Sequence, residues 1–223
     1  MNSTQVIASK VERSSTSALL QVLAKPWLDR SVAAVACIPF AYYGYYRYRQ
    51  IGNAVPLVSL WIQYVLLIIP MIARRPPKRV TPNPAYWLLA FVASYWTLMP
   101  ILGSPGHALI PDGITKALAI GSLVIAVWAR LSLGRNIGFV PAQRDLVTHG
   151  AYHYVRHPIY TGVFLSYLAF ALGGYSPRNA LIAGLGILWF VVKSFVEEDF
   201  LRMDPQYAAY MQKVRARWIP FVV

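Results

Sequence analysis

The residues with chemistry to offer fall in two polar segments of an otherwise apolar chain. The first, Leu133 to Tyr160, reads LGRNIGFVPAQRDLVTHGAYHYVRHPIY and is basic and rich in histidine. The second, Lys193 to Arg202, reads KSFVEEDFLR and directly follows the last apolar run. Pro158 predicts a helix start, because a proline at the first helical position gives up an N–H that has no intrahelical partner anyway. Such a start presents free N–H groups and partial positive charge, and Arg156, His157 and Tyr160 add further donors around it. That combination receives an anion; the plainer reading is that Arg156 only snorkels to lipid headgroups. Glu197 and Glu198 are adjacent carboxylates at the far end of an apolar helix, where burial is costly and the dipole disfavours negative charge. They call for a cation, either Lys193 one turn earlier, Arg202, or a bound ligand.

The elements that must position these groups are long apolar runs. Of 223 residues 57% are hydrophobic and 13% charged, against about 25% charged in a soluble domain. Net charge is +13, with eight acidic residues. Nucleic-acid binding would account for the charge but not for the apolarity. A polytopic membrane protein with basic loops accounts for both, and no nucleic acid is expected as a partner. Six runs read as spans: Val32 to Tyr46, Ala54 to Ala73, Tyr86 to Leu102, Ile114 to Leu131, Ile159 to Leu172 and Ala180 to Val196. The first is short and ends in Tyr42, Tyr43, Tyr45, Tyr46 and Tyr48, which suit an interfacial anchor better than a ligand box; the count is five if it does not cross. The single cysteine, Cys37, excludes an intrachain disulfide.

The expected fold is an all-α, polytopic transmembrane helical bundle. A cytoplasmic lead occupies 1–30, transmembrane helices one to four occupy 31–131, and a cofactor-binding core occupies 132–223. Within that core GGYSPRN is too short a link for anything but an antiparallel hairpin, 158–198. The tail, with Lys213, Arg215, Arg217, Trp218 and Phe221, reads as an amphipathic helix or arm on an anionic leaflet. Basic residues alternate between loops so that both termini are cytoplasmic. Multi-pass insertion in a bacterial inner membrane suits this pattern, as would the endoplasmic reticulum, and membrane lipids are the surroundings expected.

A hairpin brings its two polar ends to one membrane face, so anion donors oppose cation acceptors across one site. A zwitterion with an additional positive centre fits that arrangement, and S-adenosylmethionine is such a molecule. GAYHYVRHPIYTG followed by EEDFLRMDPQYAAY resembles the isoprenylcysteine carboxyl methyltransferase family and its bacterial membrane relatives, over about Leu131 to the C-terminus. The resemblance implies a membrane methyltransferase with S-adenosylmethionine as cofactor and S-adenosylhomocysteine as product. By position, it implies that His149, Gly150 and Tyr152 line the adenosine side and that Arg156, His157 and Tyr160 hold the methionine carboxylate. Glu197 or Glu198 then takes the ammonium. Lys193 stands roughly where the family has an arginine near its substrate, and Ala151 replaces the usual proline. The acceptor implied is lipophilic or small: a prenylcysteine-like carboxylate, a thiol or a phospholipid amine. A carboxylate or thiolate needs no base, whereas an amine or hydroxyl needs one, for which Glu198 is the candidate.

Two other classes compete. His149, His153 and His157 recur at i, i+4 and i+8, a spacing that aligns metal ligands on one helix face. Gly150 and Pro158 oppose a continuous helix there, and the chain has four histidines in all, so the histidine-box oxidoreductase ranks low and no metal is expected. A non-enzymatic adaptor or transporter is the other alternative. Oligomeric state is not legible.

Overall fold

The computed structural model describes residues 26–50, 62 and 65–220. Helix α1 (Pro26–Gln50) encloses the whole first apolar run in 25 residues. At 1.5 Å per residue it is about 37 Å long. Of the second expected span, 54–61, 63 and 64 lie outside the described residues; the remainder is helical over 65–72. Helix α2 (Pro84–Trp96) begins with proline inside a cap made by Asn83, whose side chain accepts the Ala85 N–H. It gives way to a 3-10 turn, Met99–Leu102, so the third apolar run is not one continuous helix. Helices α3 (Asp112–Leu133), α4 (Pro158–Gly173), α5 (Pro177–Leu201) and α6 (Pro205–Lys213) follow. Ser176 caps α5 and Asp204 caps α6 through side-chain oxygens, each satisfying an N–H that the helix start leaves open.

Two described helices are long and apolar enough to cross a membrane: α3 with its 3-10 extension to Asn136, and α5. Helices α2 and α4, at 13 and 16 residues, are shorter than the roughly 20 that a bilayer asks of a single straight helix.

Close approach sets the packing. At Gly162 of α4 a Cβ would lie 3.1 Å from the Ser122 carbonyl oxygen of α3, so only the missing side chain lets the two helices sit this near. Helices α4 and α5 meet midway where Tyr167 packs on Gly186, and Trp96 of α2 donates its indole N–H to the Ile182 carbonyl of α5 at 2.9 Å. A second cluster joins α1 to the loop after α3, with Ala33, Ala36, Cys37 and Phe40 against Met71, Ile137 and Phe139.

One feature departs from the all-α expectation. The basic loop after residue 73 forms a short clasp with the loop after α3, in which β1 (Arg79–Val80) pairs antiparallel with β2 (Ala142–Gln143). The Arg75 N–H donates to the Arg135 carbonyl and the Lys78 N–H to the Gln143 carbonyl, both at 2.8 Å. Arg75 and Lys78 also pair with Asp145. These contacts hold residues 134–147 over the polar ends of the helices below.

Candidate functional site

The start of α4 and the end of α5 meet, as their polar ends require. Glu198, 3% exposed, is the hub. Arg156 donates to it through Nε at 2.7 Å and Nη2 at 3.3 Å, and Arg217 through Nη2 at 2.6 Å and Nε at 3.1 Å. His157 Nε2 lies 3.0 Å from Glu198 Oε1. A buried carboxylate survives only with such compensation, and here three cationic or donor groups occupy its two oxygens. The partners come from segments far away in sequence; Arg202, expected nearby, pairs with Asp199 instead.

Glu197 has a different environment. Its Oε2 accepts the Tyr160 hydroxyl at 2.6 Å, and its Oε1 lies 3.7 Å from Lys193 Nζ. Lys193 is buried on α5, donates to Ser94 Oγ at 3.4 Å, and sits over the rings of Tyr160 and Phe190. His157 stacks on Tyr160 at 5.1 Å and stands between the two acids, with Nδ1 3.8 Å from Glu197 Oε2.

Glu197 and Lys193 line a cavity of about 250 Å³; Glu198 does not. At about 30 Å³ for each water in the liquid, that space holds about eight waters, more than a packing defect. Its lining is of two kinds. Arg130, Asn136, Tyr152, Arg156, Tyr207 and Tyr210 are polar, and the segment 141–147 lines it too. Phe40, Leu67, Met71, Phe139, Val163 and Phe190 are apolar. Of the polar residues, Arg130 has Nε and Nη1 buried without a hydrogen-bond partner among the described residues, as is Asn136 Oδ1. Buried polar atoms are rarely left so. Burial raises the phenols of Tyr152, Tyr207 and Tyr210 above the usual tyrosine range, keeping them protonated as donors. The Tyr210 hydroxyl donates to the Tyr152 carbonyl at 2.7 Å, tying α6 to the 3-10 turn Gly150–His153.

Of the residues singled out from sequence, Tyr152, Arg156, His157, Tyr160, Lys193 and Glu197 come together around this cavity. Their roles shift. Arg156 was expected to receive a carboxylate, but Glu198 and the carbonyls of Val214 and Arg215 already take its guanidinium donors. The mouth of α4 is likewise filled, since the His157 N–H donates to the Arg217 carbonyl at 2.9 Å. Glu198, nominated as a base, has no free oxygen to accept a proton. Gly150 is not on the cavity wall. Its φ of +60° and the Ser132 Oγ, 2.2 Å from where a Cβ would stand, make it a packing glycine against α3. His149 and His153 are exposed, and the three histidines do not share one helix, because the 3-10 turn ends at His153 and α4 starts at Pro158.

Arg130, Asn136, Tyr207, Tyr210 and Arg217 were not singled out for these positions. Arg130 did carry a signal, as a charge at the end of an apolar run, which is a functional hint by default. Arg217 carried none, because a basic tail reads equally well as a membrane contact.

No curated protein matches the chain. Residues 113–208 match the family model for phospholipid methyltransferases, which belongs to the clan of the isoprenylcysteine carboxyl methyltransferases. The matched segment runs from the start of α3 into α6, contains the first motif and all but the last two residues of the second, and is similar to that methyltransferase family.

Proposed function

We propose that the protein is an integral-membrane methyltransferase that uses S-adenosylmethionine and acts on a lipophilic acceptor. The observation that carries the reading is the cavity, whose lining combines buried donors without a partner among the described residues with large apolar side chains. The residues present fit the cofactor. Arg130 offers two buried N–H donors to its carboxylate, Glu197 offers an acid to its ammonium, and Asn136 and the phenols of Tyr152 and Tyr207 offer polar contacts to its nucleoside. Bound there, S-adenosylmethionine would supply an electrophilic methyl group on a sulfonium.

The chain's own part is alignment and exclusion of water. Residues 136–147 line the cavity together with Phe190, and Lys193 lines it beside Glu197. Glu198 is fully paired, and Glu197 is assigned to the cofactor's ammonium. Lys193 then offers a counter-charge to an acceptor that arrives as an anion, a carboxylate or thiolate. The matched family is named for phospholipids, and a phospholipid amine would have to shed its proton before accepting a methyl group.

Large apolar side chains face outward along α3 (Ile120, Val124, Leu131) and α5 (Leu181, Leu188, Phe195), which supports placing both helices in lipid; the distribution of basic loops puts the charged site on the cytoplasmic side. A labelled-methyl assay against a lipid extract, with products identified by mass, tests the proposal. Transfer to a lipid-soluble product is expected. No saturable binding of S-adenosylhomocysteine, together with no transfer, would sink it.

A further inference from the structure

The arm after α6 lies beyond both motifs and beyond the family-matched segment, yet it completes the surroundings of Glu198. Its carbonyls are used in order. Ala216 and Arg217 accept the N–H groups of Arg156 and His157 at 3.0 and 2.9 Å. Val214 and Arg215 accept from the Arg156 guanidinium at 2.8 and 2.5 Å, and Trp218 accepts from the Thr161 hydroxyl at 2.5 Å. Trp218 packs edge-on against Phe164 and Phe195, and the Arg217 guanidinium lies 3.8 Å over the Phe195 ring. The arm is a strap laid across the α4–α5 junction.

From this geometry we infer that Arg217 is a positioning residue, which acts by separating the duties of the two adjacent glutamates. Neighbouring carboxylates at a helix C-terminus repel one another and the dipole. Arg217 gives Glu198 a second guanidinium, so His157 and Arg156 stay anchored on that acid while Glu197 faces the cavity. Without it, Glu198 carries more uncompensated charge and draws on His157, which stands between the acids. The orientation of Glu197, and with it the grip on a cationic ligand group, then degrades. This inference rests on the reading that the cavity takes S-adenosylmethionine with its ammonium at Glu197.

The test uses the full-length protein in detergent and titrates S-adenosylhomocysteine into wild type, R217M, R217K and R217M/E198Q. Losing a charge-assisted hydrogen bond of typical strength predicts a roughly tenfold weaker affinity in R217M. R217K regains part of it by restoring the charge, and the double variant regains part by removing the charge left unpaired. A strap that only tethers chain segments predicts equal loss in all three. Affinity in R217M within about twofold of wild type, below what any such bond is worth, overturns the inference. So does a failure of both R217K and R217M/E198Q to improve on R217M. If R217M alone does not fold, the other two variants still decide: both should bind within roughly threefold of wild type, an error of under 1 kcal/mol, and weaker binding in both overturns the idea. Wild type that binds no S-adenosylhomocysteine refutes the function proposed above rather than the role of Arg217.

Discussion

Helices α4 and α5 end in a polar knot at both extremities, and the two knots differ in kind. Where the helices join, Asn179 is 3% exposed and fully satisfied. It accepts the Ser104 N–H at 2.9 Å and donates to the carbonyls of Ser104 and Gly174 at 2.9 and 2.6 Å. Ser104 and Ser176 share a hydroxyl bond at 2.8 Å, and His107 forms a backbone bridge to Tyr175. The groups that make these bonds are neutral. At the other extremity the groups are charged, Glu198 is saturated, and Arg130 and Asn136 are left with buried polar atoms unmatched. On the function proposed above, the first knot holds the fold and the second, beside the cavity, serves a ligand.

The comparison breaks if either knot behaves like the other. R130M should weaken S-adenosylhomocysteine binding by about a hundredfold, the upper range for a lost charged hydrogen bond pair, while changing thermal unfolding little. An R130M protein that binds normally but unfolds early would make Arg130 structural. N179A should do the opposite. It leaves the Ser104 and Gly174 carbonyls unpaired and should cost about 2–4 kcal/mol of stability, with cofactor affinity unchanged in the surviving folded protein. Denaturant unfolding beside a binding titration reads both quantities.

K193M should act between these extremes. Its 3.7 Å approach to Glu197 is long for a strong bond, so acceptor kcat/KM should fall by roughly tenfold, one charged contact, with a smaller change in cofactor affinity. Equal losses in both would place Lys193 in the cofactor's own shell. The smallest effect belongs to the clasp. Hydrogen bonds from Lys78 and Arg75 hold the Asp145 carboxyl below its ordinary range. A depressed carboxyl stabilises above its unfolded value and loses that contribution as pH falls through the folded one. Proteolysis between residues 134 and 147 should therefore quicken only once the pH falls below the ordinary aspartate value of about 3.9, and D145N should remove that pH dependence; an unaltered profile in D145N would show that the clasp does not depend on this pair.

Much of the helical order was legible because it is local. Ile114 to Leu131, Ile159 to Leu172 and Ala180 to Val196 are apolar runs with proline at or near their starts, and α3, α4 and α5 contain each of them. The end of α5 was placed short, since Glu197 and Glu198 look like the edge of a run. The helix continues to Leu201 because cations from Arg156 and Arg217 neutralise Glu198 from outside the helix. That compensation is non-local, and no spacing within the sequence encodes it. The β1–β2 clasp joins loops more than sixty residues apart and was equally hidden. The two motifs delivered the residues that gather at the site, but not which of them faces the cavity. Glu197 and Glu198 are identical in type and adjacent, so the roughly 100° step between successive helix positions separates a cavity-lining acid from a buried hub.

The central claim is that Glu197 is the acid presented to a cationic cofactor. Isothermal titration of S-adenosylhomocysteine into wild type and E197Q tests it most directly, since the amide preserves shape and can still accept the Tyr160 hydroxyl. The account predicts one saturable site per chain in wild type and at least a roughly tenfold loss in E197Q, the value of one charge-assisted bond, at unchanged thermal stability. Equal affinity in the two proteins would contradict it.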